Sequence, residues 1–206
     1  MSLLTRVREF ADGAAAAREE PGRRLAGDAD QVARACLAMA ARFEHGGKLI
    51  VFGNGGAGAD ANHIAVEFVH PVIVGKRALP ALSLNNDAAT ITEIGRREGF
   101  ERVFAHQLAR LADPGDIALG VSPDGDCANV LRALETAAGM GLLTVALVGG
   151  AGGAIARGDA AQHLLHVHSE DPMVVKEVHV SMYHILWELV HVLFEHPGLL
   201  DREVSA

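Results

Sequence analysis

The chain has 206 residues, 50% of them hydrophobic, 21% charged and 4% aromatic, with a formal net charge of −8. That length suits one α/β domain plus a helical extension and can bury a sizeable core. The negative balance, with no cluster of Lys or Arg, argues against a nucleic-acid surface, and the few aromatics argue against a platform for stacking bases.

Residues 2–20 read as a helix with its charges on one side, closed by Pro21-Gly22. Asp28 or Asp30 is placed to cap a second helix running to about Glu44, ahead of the Gly46-Gly47 break. Neither helix lies between strands. Residues 1–46 are therefore an extension, and their Leu, Val, Phe and Ala suggest packing against another copy of the chain. From Lys48 onward the pattern alternates. Strands are predicted at 49–52, 81–84, 116–121, 143–148 and 163–167, with helices at 58–70, 88–94, 100–112, 127–139 and 173–195 and a turn at 153–158. Five short apolar strands separated by helices predict a parallel sheet covered on both faces, in one domain spanning 1–206. Cys36 and Cys127 are too few for a disulfide framework or a cysteine zinc site. No apolar run approaches the ~20 residues of a membrane span, and residues 1–6 lack the core of a signal peptide. The expectation is a soluble cytoplasmic protein.

Chemistry concentrates where strands end. The first predicted strand runs into Gly53-Asn54-Gly55-Gly56-Ala57, a turn that lets backbone approach a ligand at the start of a helix. That helix carries His63 and Glu67, spaced i, i+4 on one face. The second strand ends in Ser83-Leu84-Asn85-Asn86-Asp87, and the third in Ser122-Pro123-Asp124-Gly125-Asp126-Cys127. The last helix brings Lys176-Glu177-Val178-His179 and then His184.

These motifs, in this order, resemble the sugar isomerase (SIS) domain of the phosphoheptose isomerase group over about residues 1–196. The resemblance implies a flavodoxin-like three-layer sandwich around a five-stranded parallel sheet. It also implies a homotetramer whose active sites are shared between subunits. The implied reaction is the aldose–ketose isomerisation of sedoheptulose 7-phosphate, in which a proton moves between adjacent carbons. A carboxylate and an imidazole divide that work well, because both change protonation near neutral pH. Glu67 matches the group's base and His184 its partner acid/base. Asn54, Gly55, Gly56, Asn86, Asp87, Ser122, Asp124, Asp126 and Lys176 fall at positions that hold substrate. Some members bind zinc, and His63, Glu67 and His184 match three of the ligand positions; the fourth, a glutamine in the group, is Lys176 here. A protonated lysine has no lone pair to offer a metal. Lys176 and His184 also lie about 12 Å apart along one helix axis.

The phosphate-gripping loops depart from the group's pattern. Ala57 stands where the group has serine, and Ser122-Pro123-Asp124-Gly125-Asp126-Cys127 replaces a run rich in Ser and Thr. Each lost hydrogen bond to an anion is worth about 1.5–3 kcal/mol, and carboxylates in the cradle repel a dianion. Three accounts follow. Asp124 or Asp126 caps the helix that starts near Cys127 and fills the anion site; or the substrate is a neutral or amino sugar; or the aspartates point away or hold a cation, and Lys176 with a neighbouring arginine supplies positive charge. The first two together are favoured. The alternative to an enzyme is a non-catalytic SIS protein that binds a sugar or a partner protein.

Overall fold

Five short, largely apolar runs pair into one sheet, and the three at its centre are buried on both faces with no solvent-facing alternation. The computed structural model describes residues 1–196 together with Gly198. The strands are β1 (Leu49–Gly53), β2 (Ala81–Ser83), β3 (Ile117–Ser122), β4 (Leu143–Gly149) and β5 (His163–Val167), in the order β2-β1-β3-β4-β5 with every pairing parallel. The helices are α1 (Leu3–Gly27), α2 (Ala29–Glu44), α3 (Gly56–Val69), α4 (Ala88–Glu98), α5 (Val103–Leu111), α6 (Ala128–Gly139), α7 (Gly153–Arg157) and α8 (Pro172–Glu195), with a 3-10 turn at Phe100–Arg102.

Alternation along the strands divides the core. Leu49, Val51, Leu119 and Val121 point to one side and pack with α2, α3 and α8. Ile50, Phe52, Ala118 and Val148 point to the other and pack with α4, α5, α6 and α7. Three layers result, as expected. Gly120 is required at the centre of β3, since a Cβ there would lie 2.9 Å from Val130 Cγ1 and 3.2 Å from Phe52 Cε2. Among the described residues no helix is long and apolar enough to cross a membrane.

Two local expectations need correction. Pro21-Gly22 does not close the first helix: α1 runs 25 residues to Gly27 with Pro21 inside it. Proline removes one hydrogen bond to the preceding turn. Ion pairs from Glu20 to Arg23 (2.6 Å) and Arg24 (3.0 Å) span the gap, and Leu25 beyond it packs on the core. Asp28 does sit at the N-cap of α2, but its side chain makes no cap bond; its N–H continues α1 by donating to Arg24 O. The first half of α1 stands clear of the domain, with Leu3, Leu4 and Phe10 each at least 70% exposed.

Candidate active site

In this strand order the connections after β1 and β3 leave in opposite directions, which opens a crevice beyond their carboxyl ends. Gly53 and Val121 are register partners at its floor. Gly53 admits no side chain, because a Cβ would meet Ala57 O at 2.8 Å and Val121 O at 2.9 Å. Gly55 turns the chain at φ +53° into α3, and Gly56 begins that helix. Asn54 reaches across the crevice to Asn129 of α6 through reciprocal amide hydrogen bonds of 2.7 and 2.8 Å. Asn85 similarly ties the β2 loop to Gly53, donating to its carbonyl at 2.7 Å.

The reactive groups sit on α3 and α8, which run side by side in the same direction. Lys176 meets Gly56 and Asp60, Tyr183 meets His63, and His184 and Trp187 meet Glu67. Glu67 is 8% exposed, and its Oε1 lies 3.2 Å from Nε2 of both His63 and His184. Each imidazole is about half exposed, so the carboxylate forms the base of a small cup whose rim is two histidines. His63 Nδ1 lies 2.8 Å from the Tyr183 hydroxyl, which is buried and whose pKa burial pushes up. A neutral phenol both donates and accepts, so it serves either imidazole tautomer. With Nε2–H donating to Glu67, the phenol donates to Nδ1; with a lone pair on Nε2, Nδ1–H donates to the phenol.

That freedom bears on metal binding. The ligand atoms of His63, Glu67 and His184 all lie within 4.8 Å of one another. Two nitrogens and an oxygen in that span suit a tetrahedral cation with one open position, and Tyr183 holds His63 from behind in the way such ligands are usually held. The three residues fit a metal. Lys176 does not join them: its ammonium is paired with buried Asp60 and donates to Gly56 O at 3.0 Å, two turns up the helix from His184.

The remaining expected binding residues are distributed unevenly. Asp87 caps α4, accepting from Thr90 through hydroxyl and backbone and from Ala89; these bonds hold its carboxyl below the ordinary range. Asn86 and Asp87 line a hollow of about 360 Å³ beside Thr90 and Arg110. Ser122 is fully buried, donating to Asp124 Oδ1 at 3.2 Å and accepting from Cys127 N–H at 3.4 Å. Neither aspartate caps α6, whose N-cap Cys127 has no side-chain bond. Asp124 Oδ1 instead accepts from Asp126 N–H at 2.9 Å, closing the loop on itself. Asp126 turns to α7, accepting from Ala154 N–H at 2.7 Å and meeting Arg157 at 3.5 Å. The capping expectation fails because Gly125, at φ +74°, lies against Gly152 and Gly153 and brings α7 within reach.

Four side chains at the site were not singled out from sequence. Asp60 and Asn129 lie just beyond the Gly53–Ala57 and Ser122–Cys127 runs, where sequence does not show their partners. Tyr183 and Trp187 read as apolar core. Trp187 has a specific duty: its indole N–H donates to Glu67 O at 3.0 Å. The helical partner of that carbonyl would be the N–H of residue 71, which is proline.

The SIS domain family matches residues 15–149. A phosphoheptose isomerase of Solidesulfovibrio magneticus is 40% identical over 195 residues, covering 94% of this chain and 93% of the relative. The solved phosphoheptose isomerase of Francisella tularensis superposes with a TM-score of 0.81 at 32% identity, over 93% of this chain and 99% of that one. That of Neisseria gonorrhoeae gives 0.78 at 30% identity, over 92% and 98%.

Proposed function

Because the chain belongs to the SIS-domain family, among its phosphoheptose isomerases, we propose that it interconverts an aldose and a ketose, as a sugar phosphate or a related sugar, by moving one proton between adjacent carbons. The observation that carries this reading is Glu67 seated between His63 and His184, with one carboxylate oxygen 3.2 Å from both rings. Glu67 takes the carbon-bound proton and returns it to the neighbouring carbon. His184 exchanges protons with the substrate oxygens, so charge does not build up on the enediol. Asn54, Gly55 and Gly56 form the crevice wall against which the sugar lies.

Zinc held by His63, Glu67 and His184 would act as a Lewis acid toward the carbonyl and adjacent hydroxyl oxygens. The functional unit is a homotetramer in which second copies cover the exposed apolar residues of α1 and complete the sites; the share of Leu3, Leu4, Val7 and Phe10 left open supports this.

The test is turnover of a seven-carbon ketose, with and without its 7-phosphate, followed by NMR in D2O. Exchange at the adjacent carbon and appearance of the aldose are expected. Glu67→Gln should lower the rate by about 10²–10⁴-fold, the usual scale for a lost general base, with the oligomer intact. Absence of turnover with either sugar would refute the enzyme and leave the binding protein.

A further inference from the structure

The turn after β1 is gripped from two sides by asparagine side chains. Asn85, just past β2, holds its backbone, donating to Gly53 O at 2.7 Å and accepting from Gly53 N–H at 3.3 Å. Asn129, in the first turn of α6, holds its side chain. Asn54 Nδ2 donates to Asn129 Oδ1 at 2.7 Å, and Asn129 Nδ2 donates to Asn54 Oδ1 at 2.8 Å. This second pair spans the crevice, because the two residues follow β1 and β3, which are neighbours in the sheet.

Asn129 stands on a fixed base. It is 3% exposed, and Val130 beside it packs against Gly120 at the centre of β3. Among the described residues its amide has no partner other than Asn54. A primary amide carries two donor hydrogens and two acceptor lone pairs. The pair uses one of each on both residues, and half-buried Asn54 keeps one N–H and one lone pair for a ligand in the crevice. Turning one amide alone would set N–H against N–H and oxygen against oxygen, so each residue fixes the other. An unpaired asparagine on this glycine-rich turn would have to be ordered when a sugar binds, at a cost in affinity.

Resting on the isomerase reading above, we propose that Asn129 is a positioning residue for sugar binding. It preorganises Asn54, whose remaining donor and acceptor meet substrate hydroxyls, and it sets the distance between the β1 turn and α6. It touches no reacting atom, so its loss falls on KM and leaves kcat.

The experiment measures turnover and calorimetric binding of sedoheptulose 7-phosphate by wild type, Asn129→Ala and Asn129→Asp, at about pH 8 and about pH 5. Asn129→Ala removes the partner without adding charge. Its KM and Kd are expected to rise about tenfold or more, with kcat within about threefold of wild type. Asn129→Asp is nearly isosteric. Its ionised carboxyl has only acceptors, which leaves Asn54 Oδ1 without a donor; protonated, it has one O–H donor and one acceptor and rebuilds the pair. Burial raises the pKa of a carboxyl, so the pair is present at the lower pH and lost as pH rises through that value. Taking the ratio to wild type at each pH divides out the titration of Glu67, His63 and His184. On that ratio Asn129→Asp should bind at least as weakly as Asn129→Ala at about pH 8 and approach wild type at about pH 5.

A KM for Asn129→Ala within about twofold of wild type, or a loss carried in kcat, overturns the proposal. So does a deficit in Asn129→Asp that is the same at both pH values. Thermal midpoints check folding, and should Asn129→Ala not fold, the pH contrast of Asn129→Asp decides. The two readings fail separately. Wild-type turnover with KM unmoved in the variants keeps the isomerase and removes the role of Asn129; a binding loss in the variants without wild-type turnover does the reverse. A wild type that neither binds nor turns over the ester removes both.

Discussion

Replacing Trp187 by Phe isolates the device that ends α3 beneath Glu67. The carbonyl of Glu67 faces Pro71 where a helix would place an N–H, and the Trp187 indole supplies the missing donor at 3.0 Å. Phenylalanine keeps most of the packing of a side chain only 6% exposed, but leaves that carbonyl without a partner. An orphaned buried acceptor costs about 1–3 kcal/mol, and the smaller ring adds a cavity of about 1 kcal/mol. The sum, about 2–4 kcal/mol, corresponds to a fall in Tm of roughly 5–15 °C for a chain of this size. Urea unfolding should show a lower midpoint with an unchanged slope, because the surface exposed on unfolding is the same. Activity should fall chiefly in kcat, since the last turn of α3 sets the position of the Glu67 carboxylate. A stability loss below about 0.5 kcal/mol would refute the reasoning, because an unmet buried acceptor cannot be that cheap.

Removing the Tyr183 hydroxyl with Tyr183→Phe takes away the support behind His63, at 2.8 Å from Nδ1. Zinc affinity, measured by competition with a chelator, is expected to drop about 10–100-fold; equal affinity in the two proteins would show that the phenol does not set the imidazole. Phe10→Asp places a charge on the exposed half of α1, where no residue is buried within the chain. Sedimentation should find a smaller assembly with unchanged helicity, whereas an unaltered mass would show that this face is not an interface.

The parallel sheet could be read from sequence because its strands are short, mainly apolar runs separated by helix-length segments, a signal that neighbours scarcely alter. Residues 49–52 and 163–167 are recovered almost to the residue as β1 and β5. The His63–Glu67 pair was equally legible, since i, i+4 spacing is local. His184 was marked on the last helix, but its role came only from resemblance, because a histidine among apolar neighbours on α8 looks like any buried one. Misreadings arose where distant backbone intervenes. Pro21 looks like a terminator until the Glu20 ion pairs are seen to bridge it. Asp126 looks like a cap for α6 until α7, 28 residues on, takes its carboxylate. Trp187 and Tyr183 went unnoticed because hydrophobic periodicity reports that a ring is inside and never what its polar tip touches.

α3 and α8 are continuous rods that carry His63, Glu67 and His184, whereas Asn54, Asp124 and Asp126 belong to the connections that leave the sheet. A group carried on a packed helix is held more closely than one on a loop. The division gives the molecule two parts that can change at different speeds. Substitutions in the strand-end connections can alter which sugar is admitted while the helical machinery beneath stays intact. Conversely, a single change in the α3–α8 seam, such as at Trp187, disturbs every reaction the scaffold could host. Diversity of substrate and constancy of chemistry then follow from one architectural fact, the assignment of selection to loops and of reaction to rods.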